Sequence, residues 1–117
     1  MNRLNFRTEQ RDGATVLELQ GEMDISEGDR FQQELFTAER EEPPVLVLDL
    51  RGLTFLDSTG LRMVLEADSR ARKANRRLAI IPGPEVVHRV FLIAMLDKRL
   101  DFIDDLSVLG LDDADQA

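Results

Sequence analysis

The chain has no cysteine and a single histidine among its 117 residues. Without cysteine, disulfides and thiolate metal sites are excluded, and an intracellular location is allowed. One histidine cannot form an imidazole metal cluster or support catalysis by several histidines. That residue, His88, lies inside a helical pattern, which predicts a surface or partly packed side chain.

Glycine-rich phosphate loops are also missing. The seven glycines are scattered, and neither GxGxxG nor GxxxxGK[ST] can be written. Carboxylates are abundant, but no pair can be assigned to a cleft, and no base is placed to activate a serine. The sequence therefore predicts a protein that is not an enzyme and uses no cofactor and no metal.

Long apolar runs are absent as well. No segment approaches the length of a transmembrane helix, and the N-terminal residues lack the apolar core of a signal peptide. The expectation is a soluble, cytoplasmic protein without membrane contact.

The net charge of −8 argues against direct nucleic-acid binding, which needs a basic face. The basic residues that do cluster, predicted to form a solvated helix end, are Arg70, Arg72, Lys73, Arg76 and Arg77.

The apolar content of 43% predicts one globular domain, assigned to residues 1–111, followed by a frayed acidic tail over residues 112–117. Strand-like and helix-like periodicities give the order β-β-α-β-α-β-α-β, with a final turn or helix. Residues 45–50 are almost continuously apolar, which predicts a central strand covered on both faces. Single helices between strands indicate a largely parallel sheet.

The predicted elements have these bounds. Strands are expected at residues 4–9, 14–20, 45–50, 78–81 and 100–103, with a hairpin turn at Asp12-Gly13. A loop is expected at residues 21–25, before a helix capped by Ser26 with Asp29 three residues on. Two further helices are expected from Ser58 to about residue 75 and from residue 85 to about 97, and a terminal turn at residues 106–111.

The most informative segment is Phe55-Leu56-Asp57-Ser58-Thr59-Gly60-Leu61. It joins a buried strand to a helix, so Ser58 is expected to be exposed where free N–H groups and the helix dipole favour negative charge. A phosphate on Ser58 would be accepted by that field. The alternative is that Asp57 or Ser58 is only a helix N-cap, and these residues alone leave both interpretations open.

Taken in order, several segments resemble the STAS domain family, and within it the bacterial anti-sigma factor antagonists. The matching segments are residues 17–24, 45–50, 55–61 and 80–86, with Leu96-Asp97. The resemblance implies a single α/β domain with a four- to five-stranded mixed sheet and helices packed mainly on one face. Because residues 45–50 are apolar on both sides, the opposite face would be closed by the N-terminal strand or the terminal segment.

The resemblance also implies a function. Members of this class bind a kinase-type anti-sigma factor and so free a sigma factor for transcription, as in stress responses. Partner switching follows from phosphorylation by that kinase, and a PP2C-type phosphatase restores the unmodified form. The family's phosphorylated serine maps onto Ser58, and its loop aspartate maps onto Asp24. The partner-binding residues implied are Asp24, Asp57, Ser58, Thr59, Gly60 and Leu61.

Alternatives remain at this point. Asp24 is equally suited to cap the helix at Ser26. The domain could be a STAS adaptor or scaffold subunit of another assembly, such as a lipid-transport complex or a stress-sensing particle. A small-molecule or nucleotide-binding domain, or a hydrolase using Ser58, is disfavoured because neither a base nor a phosphate cradle is present.

One departure from the family pattern concerns the third helix. Members often carry glycine before the Leu-Asp pair at its end, whereas this chain has Met95 before Leu96-Asp97. Residues 91–96 are also unusually apolar. Most of them are expected in the core, and an exposed part would allow a weak homodimer.

Overall fold

Four strands form one mixed sheet in the computed structural model, which describes residues 3–111. The strands are β1 (Asn5–Arg11), β2 (Ala14–Met23), β3 (Val45–Leu56) and β4 (Arg77–Ile81), and they lie side by side in that order. β1 is antiparallel to β2, whereas β2, β3 and β4 are parallel. The predicted mixed sheet and the interior place of residues 45–50 are confirmed. The predicted acidic tail, residues 112–117, lies outside the described residues.

Three helices pack against one face of this sheet. They are α1 (Gly28–Arg40), α2 (Ser58–Lys73) and α3 (Glu85–Ile93), and short 3-10 turns occur at Ile25–Glu27 and Leu106–Leu109. Each helix contributes an apolar stripe to the larger core, which explains its amphipathic sequence. The buried residues of the three stripes are Phe31, Leu35, Ala38, Met63, Val64, Ala67, Val87 and Phe91.

β3 is apolar on both sides because both of its faces are covered. Leu46, Leu48 and Leu50 point to the helix-side core, and Val47 between them points to a second, smaller core. On that other face the chain after α3 packs against the sheet, with Ile103, Leu106 and Leu111 buried there. The terminal segment, and not the N-terminal strand, therefore closes the second face.

β2 and β3 extend further than predicted. β2 continues to Met23 and β3 to Leu56, so the loop expected at residues 21–25 is wrong for its first three residues. Their pairing passes through two register shifts, between Glu18 and Gln20 and between Gly21 and Glu22. A bulge interrupts the alternation of apolar and polar residues while the backbone pairing continues, which hides such a strand from pattern analysis.

The predicted fifth strand reduces to one bridge. Phe102 pairs with Ile80 in parallel, held by the N–H of Ile80 on the Asp101 carbonyl at 2.8 Å and the N–H of Ile103 on the Ile80 carbonyl at 2.9 Å. This short segment covers the outer edge of β4. The chain is too irregular on either side to extend the ladder.

The third helix is shorter than expected and more exposed at its end. α3 stops at Ile93 instead of about residue 97, and Met95 then adopts a left-handed backbone with φ of +61°. Leu92, Ile93 and Met95 are exposed, the last two by 75% and 82%, so the expectation that residues 91–96 are mostly core is wrong. The turn at Met95 brings Leu96 back toward the core, whereas residues 92–95 stay in solvent.

Replacing Met95 with glycine is expected to stabilise the protein by about 0.5–1 kcal/mol. The left-handed region costs a residue with a Cβ about 1–2 kcal/mol, and the greater freedom of glycine in the unfolded chain cancels part of the gain. Asn75, with φ of +58°, provides the control. Asparagine tolerates this region, so Asn75→Gly should gain less. Urea unfolding of both variants measures the difference, and a Met95→Gly protein no more stable than the parent contradicts the argument.

Candidate functional site

The carboxyl ends of β2 and β3 meet at one edge of the sheet. Met23 is paired with Leu56, and the N–H of Asp57 donates to the Met23 carbonyl at 3.2 Å. Asp24 and Asp57 therefore each lie one residue beyond paired backbone positions. Because β2 and β3 are parallel, Asp24 and the helix that begins at Ser58 leave the same edge of the sheet.

Asp57 is the N-cap of α2. Its Oδ1 accepts hydrogen bonds from the N–H groups of Thr59 at 2.9 Å and Gly60 at 3.3 Å. Of the two candidate caps, the aspartate takes this role and Ser58 becomes the first residue of the helix. The Ser58 side chain is exposed, and within residues 3–111 its hydroxyl has no hydrogen-bond partner.

Thr59 and Gly60 fasten the start of α2 to its neighbours. Thr59 is half-buried, and its methyl group lies 3.1 Å from where a Cβ on Gly28 would be. Gly60 is buried, and a Cβ there would lie 2.6 Å from side-chain atoms of both Leu56 and Met23. The glycine of the motif is thus a packing requirement.

The remaining residues predicted to bind a partner are partly covered. Leu61 is half-buried against the helix-side core. Asp24 is half-buried too, and its Oδ1 accepts from the N–H of Ser26 at 2.9 Å and from the Ser26 hydroxyl at 2.5 Å. Asp24 therefore caps the 3-10 turn before α1, and the expected capping by Ser26 itself is wrong.

Glu27 is a buried acid that the sequence patterns did not single out. It is 8% exposed, and its carboxylate accepts from Arg30 at 2.6 Å and from the N–H of Leu4 at 3.4 Å. The hydrogen bond from Arg30 holds the pKa of Glu27 below its ordinary value, against the opposing effect of burial. Because Arg30 also donates to the Leu4 carbonyl at 2.9 Å, the two charged side chains together tie the backbone of Leu4 to the start of α1. Nothing in the local sequence distinguishes it from a surface glutamate.

Two exposed apolar residues at the same edge were also missed. Ile25 follows Asp24 and is 78% exposed, and Phe55 precedes Leu56 and is 45% exposed. For Ile25 a signal was available, because it directly follows Asp24, the cap of the 3-10 turn, and so lies beyond the strand.

The basic cluster is largely neutralised by ion pairs. Arg70 donates to Glu39 at 2.7 and 2.8 Å, Arg72 to Asp68 at 2.8 Å and Arg77 to Asp101 at 2.5 Å. The hydrogen bonds that Arg70 donates to Glu39 raise the pKa of Arg70. The Arg70 pair links α2 to α1 and the Arg77 pair links β4 to the terminal segment, whereas the Arg72 pair lies within α2.

His88 has a packing role. Its ring meets Phe102 edge-on at 4.9 Å between centroids and lies 6.2 Å from Phe91. Its Nδ1 is buried, and within the described residues it has no hydrogen-bond partner. The predicted partly packed side chain is confirmed.

Among residues 3–111 no three histidine, aspartate or glutamate side chains are grouped as metal ligands would be. The helices described in this range are also too short or too polar to cross a bilayer.

Comparison with known proteins gives a consistent result. A family model described as Mlab, STAS domain, matches residues 6–110. The anti-sigma F factor antagonist of Paenibacillus polymyxa is 26% identical over 103 residues, which cover 87% of this chain and 88% of that protein.

Several solved structures share the fold. An anti-sigma factor antagonist from Mycobacterium paratuberculosis has a TM-score of 0.83 at 24% identity, covering 91% of this chain and 90% of its own. The phosphorylated form of the Bacillus cell fate determinant SpoIIAA has a TM-score of 0.70 at 18% identity, covering 91% and 97%.

Proposed function

This chain belongs to the STAS domain family, and we propose that it is an anti-sigma factor antagonist. It binds a kinase-type anti-sigma factor and thereby frees a sigma factor, and phosphorylation of Ser58 by that partner ends the complex. The chain acts as a regulatory binding protein: the kinase chemistry belongs to the partner, and a PP2C-type phosphatase reverses it. The similar Paenibacillus and Mycobacterium proteins, both described as antagonists, support this assignment.

The observation that carries the proposal is the state of Ser58. Its hydroxyl is exposed and unpaired within the described residues, at the first position of α2. Asp57 occupies the N–H groups of Thr59 and Gly60, so the helix start is already formed without help from the serine. A phosphate there adds up to two negative charges at the positive end of the helix dipole, where the fold tolerates them.

Incubation with the kinase-type anti-sigma factor and ATP is expected to place one phosphate on Ser58 and none on Thr59. Thr59 is half-buried against Gly28, whereas Ser58 is free to enter an active site. Mass spectrometry of the digested protein locates the phosphate. A Ser58→Ala protein modified in full on Thr59 contradicts the assignment, and Thr59→Ala, still modified on Ser58, is the matched control.

Asp24 is proposed to contact the partner as well as to cap the 3-10 turn. Asp24→Asn keeps an oxygen for the Ser26 N–H and removes the charge, so it should leave the melting temperature unchanged and weaken partner binding about fivefold, which equals about 1 kcal/mol. Asp24→Ala should in addition lose about 1 kcal/mol of stability. Affinity is measured by calorimetry and stability by urea unfolding. An Asn variant with parental affinity shows that Asp24 is a cap alone.

A second candidate function is that of an adaptor or scaffold subunit. The exposed apolar end of α3 favours it, because Leu92, Ile93 and Met95 offer a contact surface that phosphorylation does not reach. That surface lies near the far end of α2, where Arg72 donates to the Arg99 carbonyl at 2.8 Å. A stable assembly that forms equally well with Ser58→Asp protein supports the adaptor role.

A further inference from the structure

Ile25 occupies the position on β2 that Ser58 occupies on β3. Met23 and Leu56 are paired, and each of the two residues lies two positions beyond that pair. Both are preceded by an aspartate in extended conformation, with φ and ψ of −121° and −176° at Asp24 and −109° and −171° at Asp57. Adjacent strands lie about 4.8 Å apart, so the two turns start side by side.

The carboxylates of Asp24 and Asp57 are directed toward the turns that follow them. Oδ1 of Asp24 accepts from the N–H and hydroxyl of Ser26, and Oδ1 of Asp57 accepts from the N–H groups of Thr59 and Gly60. Of the residues that directly follow the two strands, Ile25, with 78% exposure, and Ser58 therefore have exposed side chains that are not engaged in these turns. Phe55, 45% exposed, adds apolar surface on the side of the edge away from the helices, since its neighbour Leu56 points into the helix-side core.

We propose that Ile25 is the apolar side chain through which this protein anchors the anti-sigma factor. Phosphorylation of Ser58 disrupts the water-free contact that Ile25 makes with that partner. This inference rests on the proposed function and concerns the same site. An exposed isoleucine buried in a partner pocket supplies apolar contact at the centre of an interface, where water is excluded. A phosphate next to that contact would have to lose its water, so binding fails through desolvation and needs no acid on the partner.

The anti-sigma factor is a better candidate than a second copy of this chain for the molecule that binds at this edge. A two-fold pairing through this edge would bring acidic side chains such as the exposed Asp29 and the half-buried Glu22 close to their own counterparts, in a protein of net charge −8. Like charges facing each other across an interface oppose association. Because Ile25 lies beside Ser58, a partner that binds Ser58 would also contact Ile25.

The test uses the anti-sigma kinase that phosphorylates Ser58 and two matched isoleucines. Ile25→Ser is expected to weaken binding of the unmodified protein by about tenfold or more, because the apolar contact is lost. Ile93→Ser, which alters a side chain with 75% exposure at the other end of the molecule, should stay within about twofold. Ile25→Leu should restore most of the affinity. Both serine variants should have the same melting temperature as the parent protein.

Salt separates desolvation from charge repulsion. The loss of affinity on phosphorylation should be as large at 1 M salt as at 0.1 M, although the screening length falls from about 10 Å to about 3 Å. A loss that shrinks tenfold at high salt overturns the desolvation mechanism. Parental affinity in Ile25→Ser, with phosphorylation still releasing the partner, overturns the anchor and leaves the proposed function standing.

Two further results would overturn the proposal in other ways. An unmodified parent protein that does not bind the kinase overturns the proposed function together with the anchor. A change in the sedimentation of the free protein on Ile25→Ser assigns the residue to self-association instead.

Discussion

Replacing Ser58 with aspartate is expected to weaken binding of the anti-sigma factor by at least about tenfold, whereas Ser58→Ala should bind constitutively. Burying one ion in an interface carries an effective penalty of several kcal/mol, and about 1.4 kcal/mol already corresponds to a tenfold change in affinity. The phosphate carries more charge than aspartate, so authentic phosphorylation should have the larger effect. Calorimetric titration with the purified anti-sigma factor measures both variants.

The fold itself should not respond to this substitution. Residue 58 is exposed at the start of α2, where a carboxylate is favoured by the helix dipole, so the circular dichroism spectrum should be unchanged. Thr37→Asp places the same additional charge on an exposed position of α1 and provides the control. Equal losses of affinity in the two variants would point to net charge instead of the Ser58 site.

Gly21→Ala is expected to destabilise the protein by about 2–4 kcal/mol. The residue has φ of +106°, and a Cβ would lie 2.2 Å from the backbone carbonyl oxygen of Arg3. That carbonyl cannot move freely, because the next residue, Leu4, is fully buried and its N–H donates to Glu27. The alanine therefore combines a strained backbone with a clash against main-chain atoms.

Gly13 separates these two contributions. It has φ of +84° in the turn between β1 and β2, but no atom lies within 4 Å of an added Cβ. Gly13→Ala should lose only the conformational part, about 1–2 kcal/mol. Chemical denaturation measures the free energy of unfolding of both variants. Equal losses would show that the Arg3 carbonyl can move away from the added methyl group without destabilising the protein.

The sheet was predictable where one physical cause dominates the sequence. Residues 45–50 are apolar except for Asp49, which pairs with Arg51, because both faces of β3 are covered, and this pattern places the strand inside the sheet before any coordinates are known. The position of Asp24 near Asp57 follows from parallel pairing, since both residues leave the same edge. The identity of Ser58 as the special residue came from the family resemblance, because local sequence treats Ser58 and Thr59 alike.

Other features depend on contacts between residues far apart in the chain. The extension of β2 to Met23 requires backbone pairing through bulges, which leaves no periodic trace. Gly21 is needed because Arg3 crosses it, and Arg3 lies 18 positions earlier in the sequence. The exposure of Ile93 and Met95 arises from the early end of α3, although the residues themselves are as apolar as those of a core helix.

The central claim is that one hydroxyl controls association with the anti-sigma factor. Its most direct test is a calorimetric titration of that factor with two preparations of this protein, one unmodified and one carrying a single phosphate on Ser58. The account predicts a tight complex with the unmodified protein and an affinity at least about tenfold lower with the phosphorylated one. Equal affinities of the two preparations would contradict it.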